Sequence, residues 1–375
     1  MTGSSQFSVQ IVRTKNVVRG DLSQRYFTPN TVLAVLASLA AAALTTPVSA
    51  QENEPFLEEI IVTAQKRADN LQDTSLSITA FSADRLNQLG IENVTDLRNA
   101  VPGLTINDSV TPFISIRGVS SNSDLPTGDP AVATHINGVY VGRPSATRGA
   151  FYDLERIEVL RGPQGILYGR NATGGSINII SRRPDFERAA NFKTELGNFS
   201  RYGISGAANV VLAEDELALR VAATYDQRDS FANTGAVSDR SYGNALDELG
   251  FRIQALYAPN EDSSLLLGYS KYTNDGGVAA STVIPAPAGY DPFNVSLNTE
   301  PIFEDDQDMF WLEANYELDW AQFTYLGSWF DNSIFNQTDF DGGDMLQQIG
   351  LRHLSGEQVS HEFRLSSVSG DEWDW

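Results

Sequence analysis

The chain has 375 residues, 48 of them acidic and 26 basic, for a formal net charge of −22, and it contains no cysteine. This balance excludes a broad nucleic-acid binder, which needs a basic surface. It also excludes a disulfide framework, a thiolate metal site and a cysteine nucleophile. The histidines, His135, His353 and His361, do not stand at metal-ligand spacing, so no metal site, catalytic site or cofactor is expected. A mean hydropathy of −0.23 does not argue for solubility, because membrane β-strands alternate apolar and polar residues and give a weak signal.

Residues 31–44 form an uncharged apolar run, preceded by Arg13, Lys15, Arg19 and Arg25 and followed by Val48-Ser49-Ala50. That is the pattern of a secretory signal peptide, and the run is shorter than the roughly 20 residues of a spanning helix. Residues 1–50 are therefore expected to be an export signal, with Gln51 the first residue after cleavage. Residues 51–67 follow as a short tether. Within it Ile60, Ile61, Val62 and Thr63 are β-branched and flanked by charges, which favours extended structure. Such a segment either adds to the sheet edge of another protein or begins the next domain.

Residues 68–185 read as a small α+β domain. Ser77–Phe81 is a strand. Ser82 caps a helix that runs to Leu89 and stops at Gly90. Asn93 or Thr95 starts a second helix through Asn99, ended by Pro102-Gly103. Short strands follow at Leu104–Asn107 and Phe113–Arg117. Asn137-Gly138, between two extended runs, is the strongest short hairpin signal. Then comes the most informative stretch, Leu160–Ile180, with five glycines and a proline between the apolar strands Ile157–Leu160 and Ile177–Ile180. Glycine at this density marks backbone that turns with positive φ or packs closely on another backbone.

The run "LRGPQGILYGRNATGGSINII" resembles the end of the plug domain of TonB-dependent outer-membrane receptors. The pieces "SITAFS", "DLRNAVPGLTI", "SIRG" and "INGVYVGR" precede it in the order that family shows. The match covers nearly all of residues 58–184, and Glu59, Ile60, Ile61, Val62, Thr63 and Ala64 resemble the family's TonB box, with Ile61 in place of the usual valine. The resemblance implies that these six residues bind TonB and its inner-membrane energising complex. It makes Gly118, Gly162, Pro163, Gly165, Tyr168, Gly169, Gly174 and Gly175 the plug motif. It also implies that Arg117 and Arg161 meet barrel glutamates at the plug–barrel wall; the sequence alone reads both as solvated surface arginines.

Beyond about residue 190 the pattern has period two. Leu217, Leu219, Val221, Ala223 and Tyr225 alternate with Ala218, Arg220, Ala222, Thr224 and Asp226; Phe310–Trp320 and Val359–Ser366 repeat the alternation. This suits a soluble sandwich or a membrane barrel. Strands are read near 190–198, 201–212, 216–227, 247–258, 263–273, 308–319, 321–332 and 357–368. Short links alternate with long ones (228–246, 274–307 and 333–356), and aromatics recur near strand ends, which favours the barrel. The expected fold is thus an α+β plug domain followed by antiparallel transmembrane β-barrel strands from residue 186 to 375. About eight strands are visible by period, against roughly 22 in plugged transporters. A truncated chain is expected on that account.

The expected function is TonB-dependent active import of a scarce nutrient, a ferric siderophore or similar metal chelate, across the bacterial outer membrane. The partners would be TonB, the small-molecule ligand and outer-membrane lipid, with no nucleic acid. Candidate substrate contacts lie in the loops 120–129 and 143–148, at Ser120, Asn122, Asp124, Arg143 and Arg148. The alternatives are a passive outer-membrane channel and an exported β-rich enzyme or binding protein. For the enzyme, adjacent acids such as Asp305-Asp306 would point to opposite faces of a strand and not cooperate.

Overall fold

The computed structural model describes residues 76–107, 112–121, 128–231, 245–277, 297, 299–339 and 349–367, and the backbone of residues 7–10, 61–62 and 69–70. Two bodies make up the described chain: a small α+β domain and a long antiparallel wall.

The domain begins with β1 (Ile78–Ser82) and α1 (Ala83–Leu89). Ser82 accepts from the Arg85 backbone N–H at 3.4 Å, and Gly90 closes the helix in the left-handed region, as the cap residues predict. The second helix is a 3₁₀ turn, Val94–Asn99. Asn93 and Asp96 form a reciprocal capping box over it, which satisfies backbone N–H groups at its start. Strands β2 (Leu104–Asn107) and β3 (Phe113–Ile116) pair antiparallel. Then come β4 (Val132–Ile136), β5 (Val139–Val141), a 3₁₀ segment Pro144–Ala150, β6 (Leu154–Arg161), α2 (Gly165–Tyr168) and β7 (Gly175–Ser181). The main sheet has the order β1-β6-β7-β4-β5, with β7 and β4 parallel and the other pairs antiparallel. Asn137 and Gly138 join β4 to β5 with φ of 52° and 82°, the two positive values a tight hairpin demands.

The wall comprises β8 (Ala189–Leu196), β9 (Tyr202–Ala213), β10 (Leu217–Arg228), β11 (Leu246–Asn260), β12 (Ser263–Asn274), β13 (Ile302–Glu317), β14 (Ala321–Asp339) and β15 (Ile349–Ser367). Each pairs antiparallel with the next. The backbone of Phe7–Gln10 lies along β15, with Phe7 opposite Leu354. Among the described residues the sheet does not close on itself.

Three strands reach further than their hydropathy suggests. β13 starts at Ile302, ahead of the acidic run Glu304-Asp305-Asp306, which reads as loop. Phe303, Asp305 and Gln307 of that run face inward and are buried, so its polarity belongs to a buried polar surface. β14 extends to Asp339 for the same reason, with Asn336 and Asp339 buried, and β15 begins at Ile349, its first four residues half-buried.

The wall faces the wrong way for a soluble sandwich. On β13 the outward Phe310 is 44% exposed, whereas its neighbours Trp311 and Glu313 turn inward at 1% and 8%. On β15 Val359, Phe363 and Leu365 all point out. On β10 Arg220 is inside at 3%. An apolar exterior over a polar, filled interior is the arrangement of a membrane barrel. Phe310 pairs across strands with Tyr269 and Trp329, and Tyr316 and Trp320 stand exposed at the other rim.

Candidate functional site

Hydrophobic contact first seats the domain against the wall. Ile136, Val139, Val141, Ala146 and Ala150 join one buried cluster with Met309, Trp311, Leu326 and Phe330 of β13 and β14. Two glycines let the surfaces meet closely. A Cβ on Gly149 of the domain would lie 2.7 Å from Tyr272, and one on Gly250 of β11 would lie 2.8 Å from the Tyr152 ring.

Charged groups then fix the register between the bodies. Arg220 of β10 makes a two-point pair with Asp153, at 2.8 Å through Nε and 2.5 Å through Nη2, both side chains being nearly sealed from solvent. Arg252 of β11 donates to the Tyr152 carbonyl at 3.1 Å and lies 4.3 Å beneath the Tyr152 ring. Burial pushes the Tyr152 hydroxyl up to about 12, with the Arg252 charge pulling the other way. Arg183 grips Glu313 through both guanidinium nitrogens at 2.9 and 2.8 Å. Arg148 reaches Asp305 at 3.4 Å and covers the Phe303 ring at 5.1 Å. Gln358 of β15 donates to the Tyr140 carbonyl at 2.6 Å and accepts from Gly142 N–H at 3.2 Å. Two-point arginine–carboxylate pairs combine strength with fixed geometry. Removing one member strands a buried charge.

The glycine-rich run builds the domain from within. Gly175 has φ of 151°, and a Cβ there would sit 2.2 Å from the Leu160 carbonyl oxygen, so no other residue fits. Gly162 N–H donates to the Gly174 carbonyl at 3.0 Å, and Gly174 N–H to Ala131 at 2.9 Å. Pro163 is exposed beside them, Gly165 opens α2 and Gly169 closes it. Tyr168 is buried with its hydroxyl accepting from Asn178 at 2.8 Å, and burial raises its pKa. Gly118 completes a two-residue turn with Arg117, both at positive φ.

The remaining sequence candidates fall in several places. Arg117 donates to Ser77 Oγ at 2.9 Å, inside the domain. Arg161 is half-buried with Nε unpaired. Among the described residues neither forms an ion pair with a carboxylate. Among the described residues the arginines in ion pairs between the two bodies are Arg148, Arg183, Arg220 and Arg201, the last bonded to Glu92 at 3.0 Å. Their signal was available: Arg220 stands at a polar position of an otherwise apolar alternation, where a charge needs a buried partner. Ser120 is half-buried past the Arg117-Gly118 turn. Arg143 donates to the Gly128 carbonyl at 3.3 Å, and burial lowers its pKa. Asn122 and Asp124 lie outside the described residues, as do Glu59, Ile60, Thr63 and Ala64. The backbone of Ile61–Val62 pairs antiparallel with Asp69–Asn70.

Comparison with known proteins agrees with this architecture. Residues 70–176 match the TonB-dependent receptor plug domain family. The chain is 37% identical to the pesticin receptor of Yersinia enterocolitica over 154 residues, covering 40% of this chain and 22% of that protein. It is 30% identical to the iron-regulated outer membrane virulence protein of Vibrio cholerae over 242 residues, 62% of this chain and 36% of that one. The ferric yersiniabactin uptake receptor FyuA of Yersinia pestis shares the fold, with a TM-score of 0.70 at 24% identity over 80% of this chain and 47% of its own. The chain therefore spans about a fifth to a third of these curated relatives' length. Two of these three are named receptors. Residues 70–176 thus carry the plug domain of TonB-dependent receptors, and the plug with its adjoining antiparallel wall shares the fold of a solved receptor of that kind.

Proposed function

We propose that this chain serves the active import of a scarce nutrient across the outer membrane, a ferric siderophore or a similar metal chelate. The single observation that carries the reading is the wall turned apolar side out around a packed domain. That arrangement obstructs a pore and must be rearranged for passage. A passive channel has no use for so many buried ties between plug and wall. No covalent step is required, and the work is conformational. The strand leaving the plug runs outward, so the short links 214–216, 261–262 and 318–320 face the periplasm and the long ones face the medium.

On this reading the ligand binds among the long links and the plug surface near Ser120, Asn122, Asp124, Arg143 and Arg148. TonB pairs with the extended segment Glu59–Ala64 by strand addition and draws on it. Arg117 and Arg161 are proposed to meet wall glutamates elsewhere on the barrel. Ligands of the relatives, ferric yersiniabactin for FyuA among them, support the substrate class. The test is Ile61→Pro in the receptor as its gene encodes it, since proline removes an N–H from the strand ladder. Ligand binding is expected to stay within about twofold of wild type while energised uptake falls at least about tenfold, a loss of more than 1.4 kcal/mol of coupling. Unchanged uptake would remove TonB dependence from the account.

A further inference from the structure

The plug sheet has two unlike faces. One is the apolar core shared with Met309, Trp311, Leu326 and Phe330. The other carries a polar row. Glu158 (β6), Asn178 (β7), His135 (β4) and Tyr140 (β5) stand opposite one another in register across four strands. Asn178 Nδ2 donates to Glu158 Oε2 at 3.2 Å, and Ser176 Oγ donates to Asn178 Oδ1 at 3.0 Å. Ser176 Oγ also lies 3.2 Å from His135 Nδ1. Arg156 Nε donates to Glu158 at 2.9 Å. Glu158 and Ser176 are fully buried and Asn178 and His135 nearly so. An apolar layer of the same volume would be cheaper to bury.

A glycine-hinged segment covers the row. Tyr168 accepts from Asn178 and sets its ring 5.0 Å from that of His135, edge on. Asn171 Nδ2 donates to the Tyr140 hydroxyl at 2.7 Å. The segment is joined to the sheet by a narrow neck, Gly162 N–H to Gly174 and Gln164 N–H to Ala172 at 2.8 Å. Its far side is exposed at Ile166 and Leu167. The wall beside the row is polar too, with Gln358 on the Tyr140 carbonyl and Glu362 and Arg364 near Tyr168.

We infer that residues 162–174 are a hinged cover, and that Glu158, Asn178, Ser176, His135 and Tyr140 line the passage for a polar, hydrogen-bonding solute when the cover lifts. The inference rests on the import reading above. Its physical basis is that water or solute satisfies the polar row as well as the cover does, and that lifting the cover uncovers only the small apolar cluster of Ala80, Ala133 and Leu160 beneath Tyr168 and Ala172, whereas opening the other face would strand the larger cluster shared with the wall in water.

Adjacent residues test it, because Ser176 and Ile177 are both completely buried but point to opposite faces. The chain has no cysteine, so Ser176→Cys and Ile177→Cys, made in the complete receptor, add no thiol beyond the one intended to any residue of this chain. In the purified receptor, a small water-soluble thiol reagent is expected to modify Ser176→Cys at least about tenfold faster than Ile177→Cys, the mark of a local opening below global unfolding. Equal rates, or a faster Ile177→Cys, would overturn the cover. Val159→Cys, on the apolar face opposite Ile177, replaces the control should Ile177→Cys fold poorly. In energised cells supplied with ligand the ratio is expected to widen. Uptake measured in the same cells separates the two claims. Uptake without widening overturns the passage role alone. Absence of uptake in the wild type overturns the import reading and the passage role together, while the purified rates still judge the cover.

Discussion

At the scale of the residue, the strongest constraints are buried charges and crowded backbone. Arg220→Ala leaves Asp153 buried without its partner, and the expected cost is about 3–5 kcal/mol. Denaturant unfolding in detergent checks it, and Arg220→Gln paired with Asp153→Asn should recover part of the loss, since Asn tolerates the positive φ of position 153 and no unpaired charge is left buried. Gly175→Ala forces positive φ on a residue with a side chain and drives its Cβ onto the Leu160 carbonyl. A destabilisation of about 2–5 kcal/mol is expected from strain and overpacking together, read as the unfolding midpoint. Gly165→Ala, where a Cβ meets nothing within 4 Å, is expected to change little and serves as the control. The glycines of this run were legible in the sequence because positive φ and close approach demand that residue type. Arg220 and Arg252 were not singled out: alternation marks their positions as polar, but the partner is visible only once the body they face is in place, and Arg183 lies between β7 and β8, outside any periodic pattern.

Local rules carry some elements and fail for others. Ser82, Gly90, Asn93 and the Asn137-Gly138 turn each satisfy backbone groups within a few residues, so α1, the 3₁₀ turn and the β4–β5 hairpin follow from sequence alone. Strands β13 and β14 were read short by several residues because their extensions carry polar side chains on the inward face; β15 also starts earlier than its pattern, at Ile349. There Asp305 accepts from Gln307 and Asn332 as well as Arg148. A strand in a filled barrel is wetted by its own plug, so polarity does not mark its end. The same reasoning predicts that Asp305→Leu loosens the 3₁₀ segment Pro144–Ala150. Hydrogen exchange at residues 145–150 should rise at least about tenfold, as local opening becomes easier by more than 1.4 kcal/mol, with little change in β6 and β7.

For the molecule as a whole, the central claim is that the wall is a membrane surface. Period-two alternation exposed one apolar and one polar face but did not say which lay inside. That depended on the plug, whose Tyr152, Asp153 and Arg183 supply the partners the polar face needs. The most direct measurement is depth-resolved accessibility along β13 and β15, with single nitroxide labels replacing Phe310, Trp311, Phe363 and Arg364 in turn in lipid-reconstituted receptor. The account predicts that labels at positions 310 and 363 collide with lipid-soluble oxygen and not with a water-soluble nickel chelate, while labels at 311 and 364 are shielded from lipid. Strong collision with the nickel chelate at 310 and 363 would show a water-facing surface and contradict the account.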